Sequence, residues 1–334
     1  VRGYRIAIIG ATGIIGQAFI SCLQRRQFPV LRLSLFASSR SEDREIVFKG
    51  ERLKVHRLCP EGLKGHDLVF FTAGSEVSRE FVPLAQRTGA MVIDNSSAFR
   101  MHHDVPLVVP EVNPQDITKH KGLIANPNCA AIQLVMVLKP IHDLTPIERV
   151  IVSTYQAVSG AGGRALQEAK NQSEIALHED PIHSQIFPAQ IAFNLIPQIP
   201  QRDAFLPDGY TLEEEKIEQE TRKIMGSSIR LSATCVRVPV WNCHSESVNI
   251  ETRVRLTPQD VVRVLSGAPG VRVCPDPEAY PTPVQVSGSE EVFVGRIRQD
   301  RSHPRGINLW IVADNLLKGA ALNAIQIAER IIYG

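Results

Sequence analysis

The stretch NPNCAAIQ (126–133) sets one cysteine, Cys129, after an asparagine and at the head of an apolar, helix-like run. A thiol at a helix N-terminus feels the partial positive charge of unpaired N–H groups, which favours the reactive thiolate. Asn128 has two readings, a cap for the helix or a donor to an oxyanion. Ala130 and Ala131 leave the thiol open. Taken alone, a cysteine is more often a small buried apolar residue, so chemistry here requires partners. A thiol nucleophile wants a proton partner, most often histidine. The chain has ten histidines, and spacing does not choose among them. His244, in RVPVWNCHSES (237–247), is the most suggestive, at the junction of two strong strands and seven residues after Arg237. Arg100 ends DNSSAFR (94–100), a loop after a parallel strand, where open α/β sheets bind ligands. Together Arg100 and Arg237 could hold two anionic groups; each alone is more often a surface ion pair. In TLEEEKIEQETRKIM (211–225), Glu213 and Lys216 share a helix face, although such a run is more often a solvated charged helix.

A second chemical feature lies at the start of the chain. Gly10-Ala-Thr-Gly13-Ile-Ile-Gly16 follows a β-branched run and opens a helix, a placement that lets backbone N–H groups approach a pyrophosphate. The next strand ends in Ser38-Ser39-Arg40-Ser41, where an NAD enzyme would carry a carboxylate for the ribose hydroxyls. Hydroxyls and a guanidinium suit a 2′-phosphate, so NADP is the expected cofactor. Glu42 and Asp43 follow at once and pull against that preference.

The elements that must position these groups fall into two textures. Residues 4–9, 31–37, 67–73 and 90–95 are nearly continuous apolar strands. They alternate with helical patterns over 14–25 and 76–88, as in a doubly wound parallel sheet buried on both faces. Ile14, Ile15, Ala18, Phe19, Cys22 and Leu23 form the apolar face of the first helix. After Ala131, long strands of alternating polarity (148–158, 228–240, 245–256) predict a mixed or antiparallel sheet with one covered face. The proline-rich stretches 187–209 and 268–285 read as ordered loops, the first as an intersubunit arm. Residues 313–334 read as one amphipathic helix.

Composition sets outer bounds. At 334 residues two domains are expected. A net charge of +2 gives no general attraction to nucleic acid or membrane. No apolar run reaches membrane-span length, and the N-terminus lacks a signal-peptide pattern. Six cysteines without a C-x-x-C pair read as reduced thiols of a cytoplasmic protein. C-x7-C-H, at Cys235, Cys243 and His244, is not a usual zinc spacing, so no metal is expected.

Ordered along almost the whole chain, GATGIIG, ASSRS, FTAGS, DNSSAFR, VPEVN, NPNCAAIQ, STYQAVSGAG, EEEKIEQET, RVPVWNCHSESV and VADNLLKGAALNAIQIAE resemble bacterial-type aspartate-semialdehyde dehydrogenases. The resemblance implies a Rossmann-type NADP-binding domain (1–128 plus 314–334). It also implies an α+β catalytic and dimerisation domain with a mixed sheet (129–313), the glyceraldehyde-phosphate-dehydrogenase-like plan. By position, Cys129 resembles the acylated nucleophile, Asn128 its neighbour at the substrate or oxyanion, Gln156 the residue orienting the intermediate and His244 the acid/base. Arg237 resembles the clamp on the substrate α-carboxylate, Glu213 the partner of its amino group, and Arg100 and Lys216 the phosphate site. Gly10, Thr12, Gly13, Ile14, Ser38, Arg40, Ser41, Thr72, Gly74, Ser159, Gly160 and Asn315 resemble cofactor contacts. The implied partners are a small-molecule substrate and inorganic phosphate, in a homodimer or homotetramer. The chain departs from the family pattern at Glu42-Asp43-Arg44, at Ala130-Ala131 and at Asn242-Cys243. A related acyl phosphate reductase acting on N-acetyl-glutamyl phosphate, or an NADP-binding paralogue without catalysis, are the rival readings.

Overall fold

The computed structural model describes residues 2–178 and 181–334. Two compact units emerge, Val1–Pro127 with Ala320–Gly334, and Asn128–Gly319. The chain thus crosses between units at 127/128 and 319/320, against 128/129 and 313/314 expected from sequence.

The first unit is the Rossmann-type doubly wound half of the fold. It contains β1 (Tyr4–Ile9), α1 (Ile14–Arg25), β2 (Val30–Ala37), β3 (Glu45–Phe48), β4 (Glu51–Arg57), β5 (Leu68–Phe71), α2 (Ser75–Arg87), β6 (Met91–Asp94) and β7 (Leu123–Ala125). The strand order is β3-β4-β2-β1-β5-β6-β7. All pairs are parallel except β3 with β4. That hairpin was not apparent from apolar runs. Its turn, Lys49-Gly50, has φ of 48° and 85°, the paired positive values that suit the twist of a tight hairpin. The chain leaves β1 for β2 on one side and returns to β5 on the other, so the loops after β1 and β5 flank the reversal point where such sheets bind ligands. In α1, Phe19, Cys22 and Leu23 are buried as expected. Ile14, Ile15 and Ala18 are only half-buried, and Gly16 and Ile20 take inner places instead. Gly16 explains the difference: a Cβ there would lie 2.3 Å from Gly10 O, so the helix makes its closest approach at the glycine.

The second unit is α+β. It comprises α3 (Cys129–Leu144), β8 (Ile147–Gln156), α4 (Gly163–Ala176), α5 (Leu212–Met225), β9 (Arg230–Arg237), β10 (His244–Thr252), α6 (Pro258–Ser266), β11 (Val271–Cys274), the single turn α7 (Pro283–Val286), β12 (Val292–Gln299) and β13 (Gly306–Ala313). Its six-stranded sheet, β11-β12-β13-β10-β8-β9, is mixed. Alternation along β8, β9 and β10 buries every second residue. The 187–209 segment is ordered: Phe187, Ile191 and Ile196 pack with Val158, Ala165 and Ala169, and Ile196 pairs with Arg237 by two backbone hydrogen bonds of 3.0 and 2.8 Å.

The stretch 313–334 is not one helix. After β13, Asp314 Oδ1 accepts the N–H groups of Leu316 (2.9 Å) and Leu317 (3.1 Å), a side-chain turn that competes with helix. A π-turn follows over Leu317–Ala321, and the C-terminal helix proper is Leu322–Tyr333. The helical apolar spacing hid this break. Among the described residues, no helix is long and apolar enough to cross a membrane.

Candidate active site

Three adjacent strands of the second unit deliver inward-facing polar side chains at one end of the sheet. Gln156 ends β8 and pairs with Arg237, which ends β9. His244 begins β10, one residue beyond the Ser245–Tyr155 pair. The start of α3 faces them. Its cap is Asn128, whose Oδ1 accepts the N–H groups of Ala130 (2.9 Å) and Ala131 (3.3 Å). Cys129 is therefore the first helical residue, and its Sγ lies 3.1 Å from His244 Nε2.

The other ring nitrogen fixes the tautomer. His244 Nδ1 accepts the Ala157 N–H at 3.0 Å, so the neutral ring carries its proton on Nε2, facing the sulfur. Burial, then the Arg237 charge, push the His244 pKa well below the ordinary 6.5, and the ring is neutral at working pH. His244 is thus a hydrogen-bond donor to Sγ. Cys243, the residue before it, has φ 72°, an uncommon backbone region for a side-chain-bearing residue. Asn315 Oδ1 holds that turn by accepting the Cys243 N–H at 2.9 Å, and Asn315 also bonds Ser159 Oγ. Ser159 and Asn315 thus brace the approach to the histidine.

Arg237 is 3% exposed and donates to Ala157 O at 2.7 Å. Its Nε is buried without a partner, a donor aimed at nothing the protein supplies. Glu213 completes the site. Its Oε1 accepts from Asn128 Nδ2 (2.8 Å) and Gln156 Nε2 (3.3 Å), and its Oε2 lies 3.6 Å from Lys216 Nζ. Burial pushes the Glu213 carboxyl up, but Lys216, the Asn128 amide, Arg237 and the Gln156 amide outweigh it and hold it below the usual range. Of the two readings of Asn128, its oxygen follows the cap, and its nitrogen faces Glu213.

Sequence reasoning missed Glu220. Its Oε2 accepts the Asn128 N–H at 2.6 Å. It stands seven residues after Glu213 on the same face of α5, where burial of Glu213, Ile217, Glu220 and Thr221 marks a stripe. That spacing was the available signal; the Ala157 N–H, a backbone donor, left none.

Gly160 has no room for a side chain. A Cβ there would lie 3.0 Å from Arg237 Nη1, 3.1 Å from His244 Cε1 and 3.2 Å from His244 Nε2. Both neighbours are pinned through Ala157, so neither yields easily. Gly160→Ala is expected to lower kcat by about 10-fold through misplacement of the ring. Circular-dichroism melting within a few degrees of wild type would separate that effect from unfolding.

The first unit holds Arg100 and the remaining nucleotide-loop residues. Gly10 has φ 90°, and a Cβ there would meet Thr72 Oγ1 at 2.7 Å. Thr72 Oγ1 donates to Ile9 O (2.9 Å). Thr12 and Gly13 complete the turn into Ile14, where α1 starts without a side-chain cap, the kind of helix start that suits an anionic ligand. Gly74, with φ 95°, opens α2. Ser38 lies after β2, and Arg40 and Ser41 lie in a short turn over Ser39–Ser41. Asp43, one of the two carboxylates that pulled against a 2′-phosphate, pairs with Lys54 at 2.8 Å. These residues fit a dinucleotide phosphate site. Arg100 is 8% exposed, with Nε on Asn126 O and Nη2 on Asn95 O, both at 2.9 Å.

Both halves of the chain are similar to known proteins. A semialdehyde dehydrogenase NAD-binding domain model matches residues 5–120, and a semialdehyde dehydrogenase dimerisation domain model matches residues 138–318. The aspartate-semialdehyde dehydrogenase of Aquifex aeolicus is 52% identical over 337 residues, covering 99% of this chain and 98% of that one. A crystal structure of aspartate semialdehyde dehydrogenase II from Vibrio cholerae complexed with ASA is 44% identical, with a TM-score of 0.95 over 100% of this chain and 99% of that one. The Candida albicans enzyme, solved with NADP, is 25% identical with a TM-score of 0.76 over 99% and 98% of the two chains. Matched in both halves and along its full length, the chain belongs to the aspartate-semialdehyde dehydrogenase family.

Proposed function

We propose that the protein catalyses the NADP- and phosphate-dependent interconversion of L-aspartyl 4-phosphate and L-aspartate 4-semialdehyde through a thioester on Cys129, a step in forming lysine, threonine and methionine. The observation that carries this is the 3.1 Å contact between Cys129 Sγ and the Nε2–H of a neutral, fixed His244. In the oxidative direction the thiolate adds to the aldehyde carbon. The Nε2–H bond moves from sulfur to the new oxyanion and stabilises it. NADP, when bound, takes up or supplies hydride. The thioester on Cys129 keeps the acyl group activated, phosphate oxygen attacks it, and the thiolate leaves to regain its bond from His244. In the reductive direction the same residues act in reverse order.

Recognition follows from charge. The unpartnered Nε of Arg237 suits the substrate α-carboxylate, and the ionised Glu213 suits its ammonium group. Gln156 and Asn128 hold Glu213 and orient the bound acyl group. Lys216 and Arg100 are assigned to phosphate. An N-acetylated substrate has no cation for Glu213 and would leave that buried carboxylate facing an amide. For the cofactor, Ser38, Arg40 and Ser41 are assigned to the 2′-phosphate, helped by the engagement of Asp43 with Lys54. Six cysteines without a C-x-x-C pair suit a reducing, cytoplasmic setting. The working form is a homodimer or homotetramer. Phe193, Leu195 and Phe205, 70%, 60% and 59% exposed on the 187–209 segment, support an arm that meets a second copy.

One preparation tests these points together. Aspartate semialdehyde should reduce NADP+ faster than NAD+, only with phosphate present, and far faster than N-acetylglutamate semialdehyde does. Phosphate-independent turnover, or preference for the acetylated substrate, would overturn the assignment, and a monomer mass in light scattering would overturn the oligomer.

A further inference from the structure

Two buried polar side chains behind the Cys129–His244 contact take no part in the chemistry above. Gln133 lies one turn along α3 from Cys129, and Glu246 lies two residues along β10 from His244, on the same strand face. They are 1% and 0% exposed. Gln133 Nε2 approaches the His244 carbonyl oxygen at 3.5 Å, and the Gln133 amide is the polar group beside the Glu246 carboxyl. Three atoms of this pair, Gln133 Oε1 and both Glu246 carboxyl oxygens, have no hydrogen-bond partner.

All three are acceptors. An ionised Glu246 would bring charge and no donor to this cluster, whereas a protonated one brings an O–H. Burial pushes the Glu246 carboxyl well above its ordinary 4.5, and Gln133 opposes that only in part. Among the described residues, the neighbouring elements bring no cation that acts on this carboxyl. Thr154 faces Glu246 across the β8–β10 pairing. On β9, Cys235 is kept a thiol by burial and by the charges of Glu213 and Glu214. Arg237, the buried cation of the site, couples to Glu213, Cys129 and Cys235. An under-satisfied acid in a protein core costs stability, and such local violations concentrate at functional sites.

We propose that Glu246 and Gln133 form a neutral positioning pair: the Glu246 carboxylic O–H serves Gln133, the Gln133 amide nitrogen holds the His244 carbonyl, and the pair sets the approach of His244 to Cys129. It links the nucleophile's helix to the histidine's strand one turn below the reacting atoms. This rests on Cys129 and His244 being the acting pair. Glu246 and Gln133 are positioning residues, since neither touches the sulfur.

The test compares Glu246→Leu, Glu246→Gln and Gln133→Met with wild type by kcat, KM, melting temperature, and iodoacetamide labelling of Cys129 against pH, read on the Cys129 peptide. Glu246→Leu and Gln133→Met should each lower kcat by about 10- to 100-fold with KM within about 2-fold. Each should also move the Cys129 labelling midpoint up by about one pH unit. Glu246→Gln, whose amide N–H replaces the acid's O–H, should stay within about 3-fold of wild type. Glu246→Leu should also melt higher than wild type, by a margin that widens with pH. The sign follows from the raised carboxyl: its favourable state is complete below about 4.5 and is lost as pH rises toward the folded value. Wild-type kcat and labelling in both Glu246→Leu and Gln133→Met would overturn the proposal, as would equal damage from Glu246→Gln. Should Glu246→Leu fail to fold, Gln133→Met and Glu246→Gln still decide it. A wild type without turnover would refute the assigned reaction instead, and labelling, which needs no substrate, would still report on the pair.

Discussion

Cys129→Ser is expected to lower kcat by about four orders of magnitude or more, because the reaction loses its covalent route. A serine hydroxyl in the same place stays protonated near neutral pH. His244 cannot draw that proton away, since its Nε2 already carries one while Nδ1 accepts from Ala157. Nothing else in the second unit's site substitutes: Cys235 is fully buried, and Cys243 faces Asp314 and Ser287. NADP titration by fluorescence should be unchanged, since the loops assigned to the nucleotide are untouched. A serine variant retaining more than a tenth of wild-type kcat would sink the thioester route.

His244→Asn carries the second large effect. The donor to sulfur and to the oxyanion disappears, and kcat should fall by about 10²- to 10⁴-fold. Cys129 labelling should need a higher pH than in wild type, because the thiolate loses the bond that favours it. The pH behaviour of the wild type follows from the same ring. Its pKa is lowered by burial and by Arg237, so the neutral form persists well below pH 6.5. Wild-type kcat should therefore show no half-loss attributable to this group near its ordinary value of 6.5. The linked stability has the matching sign: a depressed histidine contributes fully above its unfolded pKa, and that contribution is lost as pH falls toward the folded one. A kcat profile breaking at pH 6.5 in wild type and not in His244→Asn would show that the ring ionises at its usual value.

The sequence made the chemistry easier to read than the supports beneath it. Gly10, Gly13 and Gly16 follow a buried strand, and their spacing states a physical need for close backbone approach. The cap and cysteine of α3 are local in the same way: Asn128 reaches two and three residues ahead. Alternation in β8 to β10 announced a one-sided sheet and the strand junction singled out His244, but no pattern showed that it would end up flush with Gln156 and Arg237. That depends on register between strands about 80 residues apart, a long-range outcome of packing. Glu246 was invisible for a related reason. In HSESV its alternate place shares a face with Val248 and Ile250, but a carboxylate so near a strand end reads as solvated until α3 covers it. The C-terminal break was missed because Asp314 acts through a side-chain turn that apolar spacing does not register.

The first unit is closed by residues synthesised after the whole of the second. Asn323 Nδ2 donates to Val108 O at 2.9 Å and to Asn126 Oδ1 at 2.8 Å. Glu329 grips Arg26 through two 2.7 Å bonds, and Leu322, Ile325 and Ala328 are buried. On the ribosome, the whole span Asn128–Gly319 emerges before these contacts exist. The nucleotide half must wait, with its C-terminal docking surface uncovered, while the later-made half is already contiguous and free to fold. Order of emergence and order of completion are therefore opposite, so chaperone dependence should concentrate on the half that appears first.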